Sequence, residues 1–209
     1  MKTHVRVLVI GGGVVGVSTL YHLTKKGWND VALIERTELT AGSTWHAAGL
    51  LPLFNMSYTV GQLHKYSVDL YKRLPAETGQ DVSFHVTGNL RLATCKERMD
   101  EYQKYCGTAN TIGVPFEVIT PQRVKELWPL VELGGSADTP AIVGALYHPD
   151  DGHIAPADLT MALRKGARGA GAEIYERTEA QAMTRTPSGE WLVRTSQGEI
   201  RAEHLVLAT

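Results

Sequence analysis

Gly11, Gly13 and Gly16 place a GxGxxG between two segments of opposite character. Ahead of it, Val5, Val7, Leu8, Val9 and Ile10 form a short apolar run, the pattern of a strand buried on both faces. Behind it, over residues 14–26, Val17, Leu20, Tyr21 and Leu23 recur at helical spacing, and Gly27 supplies a stop. Residues 31–34 make a second buried strand that ends at Glu35. Strand, glycine turn, helix and strand in so short a stretch form a βαβ unit with a right-handed crossover, which commits the chain to an α/β fold.

The spacing carries chemistry. The first glycine permits the tight turn, the second lets backbone approach a pyrophosphate, and the third lets the helix pack closely. The helix N-terminus adds unpaired N–H groups and a positive dipole end. Glu35 lies 19 residues after Gly16, at the end of the second strand, where a carboxylate accepts from the ribose hydroxyls of a dinucleotide. An acid there repels a 2′-phosphate, which favours FAD or NAD over NADP. An NAD dehydrogenase would continue with a short βα unit. This chain instead has a small-residue segment over 41–50 and an excursion of about a hundred residues before the next buried strand near 172–175, which favours flavin.

The rest of the chain reads as alternating elements. An amphipathic helix is expected over 58–78, with Val60, Leu63, Tyr66, Leu70 and Leu74 on one buried face. Strands at 82–86 and 89–94 flank Thr87-Gly88 as a tight hairpin. A helix through Met99, Tyr102, Cys106 and Ala109 follows, then a strand at 116–119, a helix from Pro121 through Leu127, and a strand at 142–147. Pro156 opens a helix with Asp158 in its first turn, and strands at 173–176, 180–186, 191–195 and 199–207 close the chain. It stops at 205–209 inside what reads as a buried strand, so the expectation is the N-terminal part of a longer protein, inactive on its own.

Composition excludes several alternatives. With 43% hydrophobic and 21% charged residues the chain is neither disordered nor fibrous, and 21 basic against 22 acidic residues give no electrostatic case for nucleic acid or an anionic membrane. The apolar run at 7–17 is broken by glycines and is shorter than the roughly 20 residues of a membrane span. Cys95 and Cys106 lack disulfide or metal spacing and are expected to be reduced and structural. The expected setting is soluble and reducing: cytoplasmic, or the mitochondrial matrix in a eukaryote. His148 and His153 flank Asp150 and Asp151, a grouping that fits a loop better than a metal site. Arg91 is read as a structural or surface arginine, with a substrate carboxylate as the alternative.

Residues 7–16, Glu35-Arg36, 41–50, 87–94 and 151–156 together resemble the glycine-oxidase-like, D-amino-acid-oxidase superfamily of FAD enzymes, and within it the dimethylglycine and sarcosine dehydrogenases. The resemblance covers essentially the whole chain, and its most specific element is Ser43-Thr44-Trp45-His46-Ala47-Ala48-Gly49. It implies a Rossmann-like FAD-binding domain (1–80 and 151–209) interleaved with the start of an antiparallel-sheet substrate domain (81–150). It implies that Gly11, Gly13, Val14, Val15, Gly16, Glu35, Arg36, Gly42, Ser43, Thr44, Trp45, His46, Ala47, Ala48, Gly49 and Leu50 line the FAD, that Ala180 meets adenine through its backbone, and that His46 is joined covalently to the flavin. The implied activity is oxidative demethylation of dimethylglycine or sarcosine, with oxygen or an electron-transfer flavoprotein as acceptor and tetrahydrofolate as a further cofactor in a later region. Another amine or amino-acid oxidase of the superfamily and a non-catalytic flavin-binding role are the alternatives, and catalytic residues are not identified.

Overall fold

The computed structural model describes all 209 residues. In chain order the elements are β1 (His4–Ile10), α1 (Val14–Lys25), β2 (Val31–Ile34), a 3-10 turn (Ser43–His46), β3 (Leu50–Leu51), α2 (Tyr58–Thr78), β4 (His85–Val86), β5 (Asn89–Ala93), α3 (Lys96–Ile112), β6 (Glu117–Ile119), α4 (Pro121–Leu127), β7 (Gly144–His148), β8 (Gly152–His153), α5 (Pro156–Gly169), β9 (Glu173–Tyr175), β10 (Ala180–Arg185), β11 (Trp191–Thr195) and β12 (Gly198–Leu207). No helix is long and apolar enough to cross a membrane. The chain divides into two compact units, one of Met1–Gly49, Arg73–Ser83 and Ala155–Thr209, the other of Leu50–Lys72 and Phe84–Ile154.

The first unit is built on a six-stranded sheet of order β10-β11-β12-β1-β2-β9. β12, β1, β2 and β9 run parallel, and β10 and β11 extend the sheet as an antiparallel meander. All four residues of β2 are buried, as its unbroken apolar run requires. α1 and α5 pack on each other, and Gly166 explains how closely: a Cβ there would fall 2.6 Å from the Tyr21 ring. A mid-helix glycine costs about 1 kcal/mol of propensity and is offset here by that approach.

Two expectations are corrected in this unit. β9 is an edge strand with only Ile174 buried, because it pairs with β2 alone. The chain end is not a buried strand: Leu205 and Val206 are half-buried and Leu207 is exposed, since β11 pairs β12 no further than Ala202 and leaves the remainder with β1 as its single neighbour.

The second unit holds two small antiparallel sheets, β5-β7-β6 and β3-β8-β4. α3 lays Tyr102, Tyr105 and Ala109 against Ala93 and Leu146 of the first of these. Thr120 caps α4 by accepting from the Arg123 N–H, with Pro121 at its first position. The expected hairpin around Thr87-Gly88 does not form. The Asp151 carbonyl accepts the N–H groups of Thr87 and Gly88 at 3.2 and 2.8 Å, which sends β4 to one sheet and β5 to the other. β7 begins two residues later than expected because the N–H groups of Ile142 and Val143 are taken by Leu133 and Ala93. In α2 the buried face is also shifted: Val60, Leu63 and Tyr66 are exposed, while Gly61 and Val68 are buried. The seam runs through Gly61, where a Cβ would lie 2.2 Å from Ile112 Cδ1, and on to Val68 beside Leu53 and Val114.

Candidate functional site

β1 ends at Ile10, and the glycine turn is closed from two sides. The Gly11 N–H donates to Ile34 O at 3.0 Å, and the Ala208 N–H, just past β12, donates to Ile10 O at 2.8 Å. Gly11 has a φ of +117°, and a Cβ on it would sit 2.3 Å from Ala208 O. A side chain is therefore excluded by conformation and by space. A Cβ at Gly16 would lie 2.0 Å from Gly11 O, so the first turn of α1 rests directly on the loop. Gly12, outside the GxGxxG positions, is constrained by space alone, with Leu39 and Glu35 side-chain carbons within 2.8 Å of its built Cβ. Three successive glycines were the signal for it.

Gly13 is the N-cap of α1 and brings no side chain of its own. Thr44 substitutes from the 3-10 turn, and its Oγ1 accepts the Val14 N–H at 2.9 Å. Within the stretch from Ala41 to Leu50 only Thr44 is buried. Trp45 is 60% exposed, its ring tilted by 38° against the His46 ring at 3.9 Å between centroids. His46 Nδ1 lies 3.0 Å from Gly42 O. As a carbonyl only accepts, Nδ1 carries the proton in that bond, and a neutral imidazole then keeps its lone pair on Nε2. Val15 is exposed and Val14 half-buried at the head of the helix.

The Glu35 carboxylate binds the glycine turn. Oε2 accepts the Gly12 N–H at 2.7 Å, and Oε1 accepts the Thr37 N–H and hydroxyl at 2.9 and 3.1 Å. A carboxylate has about four acceptor sites, so this one has capacity for a ribose hydroxyl, with Thr37 as an exchangeable partner. The glycine cradle and the helix N-terminus fit a pyrophosphate, and the donor set fits FAD. Arg36 is exposed. Ala180 is half-buried against the cluster that contains Ile10 and Ile34. The backbone around Glu35 is held by the end of β9 and the residues that follow it: the Glu35 N–H donates to Tyr175 O at 2.9 Å, and Arg177 and Thr178 donate to Thr37 O and Glu35 O at 2.7 Å. Their only sequence signal was their place after a strand.

In the second unit, Arg91 stacks over Phe54 at 4.3 Å with a buried Nε. His148 and His153, grouped in the sequence, are apart in surroundings. His148 is fully buried at the end of β7, its Nδ1 3.1 Å from Pro115 O, and loss of solvent pushes its pKa down to about 4. His153 is exposed on β8, with its ring 5.1 Å from that of His85, a residue the sequence did not single out. Asp151 is buried, accepts the Leu53 N–H at 2.8 Å, and is pushed up to about 6 by desolvation. Both cysteines are free; Cys95 is exposed and Cys106 partly buried, so the structural reading suits Cys106 better than Cys95.

Residues 6–209 match the family described as DAO, FAD dependent oxidoreductase. The chain belongs to this family. Its sequence is 44% identical over 207 residues to mitochondrial dimethylglycine dehydrogenase of Rattus norvegicus, covering 99% of the chain and 24% of that protein. It is 40% identical over 208 residues to the 4-methylaminobutanoate oxidase (formaldehyde-forming) of Paenarthrobacter nicotinovorans, covering 100% of the chain and again 24% of the relative. This DAO-family chain therefore spans about a quarter of those curated relatives. Among solved structures it superposes on L-proline dehydrogenase from P. horikoshii with a TM-score of 0.90 at 30% identity, covering 100% of the chain and 54% of that protein. The DAO fold thus accounts for the parallel core and the glycine turn together.

Proposed function

We propose that the chain is the FAD-binding part, with the start of the substrate domain, of an enzyme that oxidatively demethylates an N-methylated amino acid, dimethylglycine or sarcosine. The observation that supports this reading most is identity of 44% to a dimethylglycine dehydrogenase across nearly the whole chain. The unit of Met1–Gly49, Arg73–Ser83 and Ala155–Thr209 is assigned to FAD, and the unit of Leu50–Lys72 and Phe84–Ile154 to the substrate domain. When bound, FAD supplies a two-electron acceptor at N5 for hydride from the N-methyl carbon.

The chain's own residues hold and orient. At the head of α1 the N–H groups of Gly13, Val15 and Gly16 would be offered to the pyrophosphate, while those of Gly11, Gly12 and Val14 hold the turn together through Ile34 O, Glu35 Oε2 and Thr44 Oγ1. Glu35 would accept from the adenosine ribose, Ala180 would meet the adenine through its backbone, and Arg36 and residues 42–50 would line the FAD. His46, oriented by its Nδ1–H bond to Gly42 O, is the residue that would carry the flavin through its 8α carbon.

A second reading, a longer N-methylamino acid as substrate, is favoured by the 40% identity to the 4-methylaminobutanoate oxidase. Anaerobic mixing of the full-length protein with dimethylglycine, sarcosine and 4-methylaminobutanoate separates the two by which amine bleaches the flavin and yields formaldehyde. Reoxidation by oxygen, by an electron-transfer flavoprotein, or with tetrahydrofolate present identifies acceptor and one-carbon fate. Bleaching by none of the three amines would reject both readings.

A further inference from the structure

β8 is the centre of its three-stranded sheet, and its register places Leu50, His153 and His85 directly opposite one another: Leu50 pairs with His153, and His153 with His85. Directly opposed residues share a sheet face, so the three side chains form one row. All three are exposed, and the two imidazole centroids are 5.1 Å apart. The row cannot slip. A Cβ at Gly152 would lie 2.1 Å from His85 O, so β4 and β8 touch at a point only glycine allows. Asp151 fixes the neighbouring positions on both sides, through Leu53 on one and Thr87 and Gly88 on the other.

We propose that His85 and His153 bind the carboxylate of the amino-acid substrate. The inference rests on the proposed function, which takes Leu50 as the last residue of the flavin-lining segment. Each neutral imidazole offers one N–H donor and a protonated one adds charge, and two rings side by side match the two oxygens of a carboxylate. No third His, Cys, Asp or Glu joins them into a metal-binding group. Arg91, the cation of this unit that the sequence suggested for a carboxylate, has its guanidinium stacked on Phe54.

The test uses the full-length flavin-loaded protein, with His85→Gln, His153→Gln and the double His→Leu variant. Steady-state kinetics are run with dimethylglycine and with N,N-dimethylpropylamine, which lacks the carboxylate. The double variant is expected to raise KM for dimethylglycine about 10-fold to 100-fold with kcat largely kept. The Gln variants, which retain a donor, should lie between, and kcat/KM for the carboxylate-free amine should not change. An unchanged KM, or equal losses with both amines, would overturn the assignment of the histidines and leave the demethylase reading intact. Failure of the wild-type protein to oxidise dimethylglycine at all would overturn both.

Discussion

Thr44 Oγ1 accepts the Val14 N–H at 2.9 Å, so the 3-10 turn that carries Trp45 and His46 is also the cap of the helix that follows the glycine turn. One hydroxyl thereby fixes two parts of the proposed FAD site to each other. Thr44→Val keeps the shape and removes the acceptor, and is expected to cost about 1 kcal/mol of stability, with Thr44→Ser close to wild type. Thermal unfolding of the full-length protein checks it; equal melting temperatures for Thr44→Val and wild type would contradict the cap.

Glu35→Ala removes the acceptor shared by Gly12, Thr37 and the proposed ribose contact. In a His46→Ala background, where a tether cannot mask weak binding, the FAD dissociation constant should rise roughly 10-fold to 100-fold. Fluorescence titration reads it directly, and an unaltered constant would place Glu35 outside the cofactor site.

Acid precipitation of the full-length protein should leave yellow fluorescence on the polypeptide, and proteolysis should carry it on the peptide containing His46. His46→Ala should release all flavin on precipitation while still binding it reversibly when native. Complete release from the wild-type protein would refute the tether and leave FAD binding standing.

The two buried groups of the second unit act on stability in opposite directions. Asp151, raised from 3.8 to about 6, keeps in the folded state a proton that the unfolded chain has lost, so its contribution falls as pH rises from about 4 to 6. His148, lowered from 6.5 to about 4, stays neutral when folded while the unfolded chain takes up a proton, so its contribution grows as pH rises from about 4 to 6.5. Each masks the other. Asp151→Asn should make stability climb more steeply between pH 4.5 and 6.5, and His148→Gln should make it fall over the same range, as measured by urea unfolding. Parallel profiles for both variants and wild type would contradict these environments.

Much of this architecture is legible in the sequence because its signals are local. The β1-turn-α1-β2 unit, the cap at Thr120 and the helix start at Pro156 each follow from a few adjacent residues. The elements that went astray depend on distant partners. Asp151 pulls Thr87 and Gly88 out of a hairpin, Ile112 draws α2 onto Gly61 rather than onto Leu63, and the short extent of β11 leaves Leu207 exposed. In the site, the motif glycines and Glu35 were readable. The surroundings of Gly12, Thr178 and His85 emerge only when segments remote in sequence are brought side by side.

In the proposed reaction hydride leaves the N-methyl carbon of the substrate. Anaerobic stopped-flow reduction of the full-length enzyme, with dimethylglycine deuterated either at both N-methyl groups or at the glycine methylene, reads which carbon gives it up. Methyl deuteration should slow flavin bleaching while methylene deuteration leaves it unchanged; slowing by the methylene label alone would contradict the account.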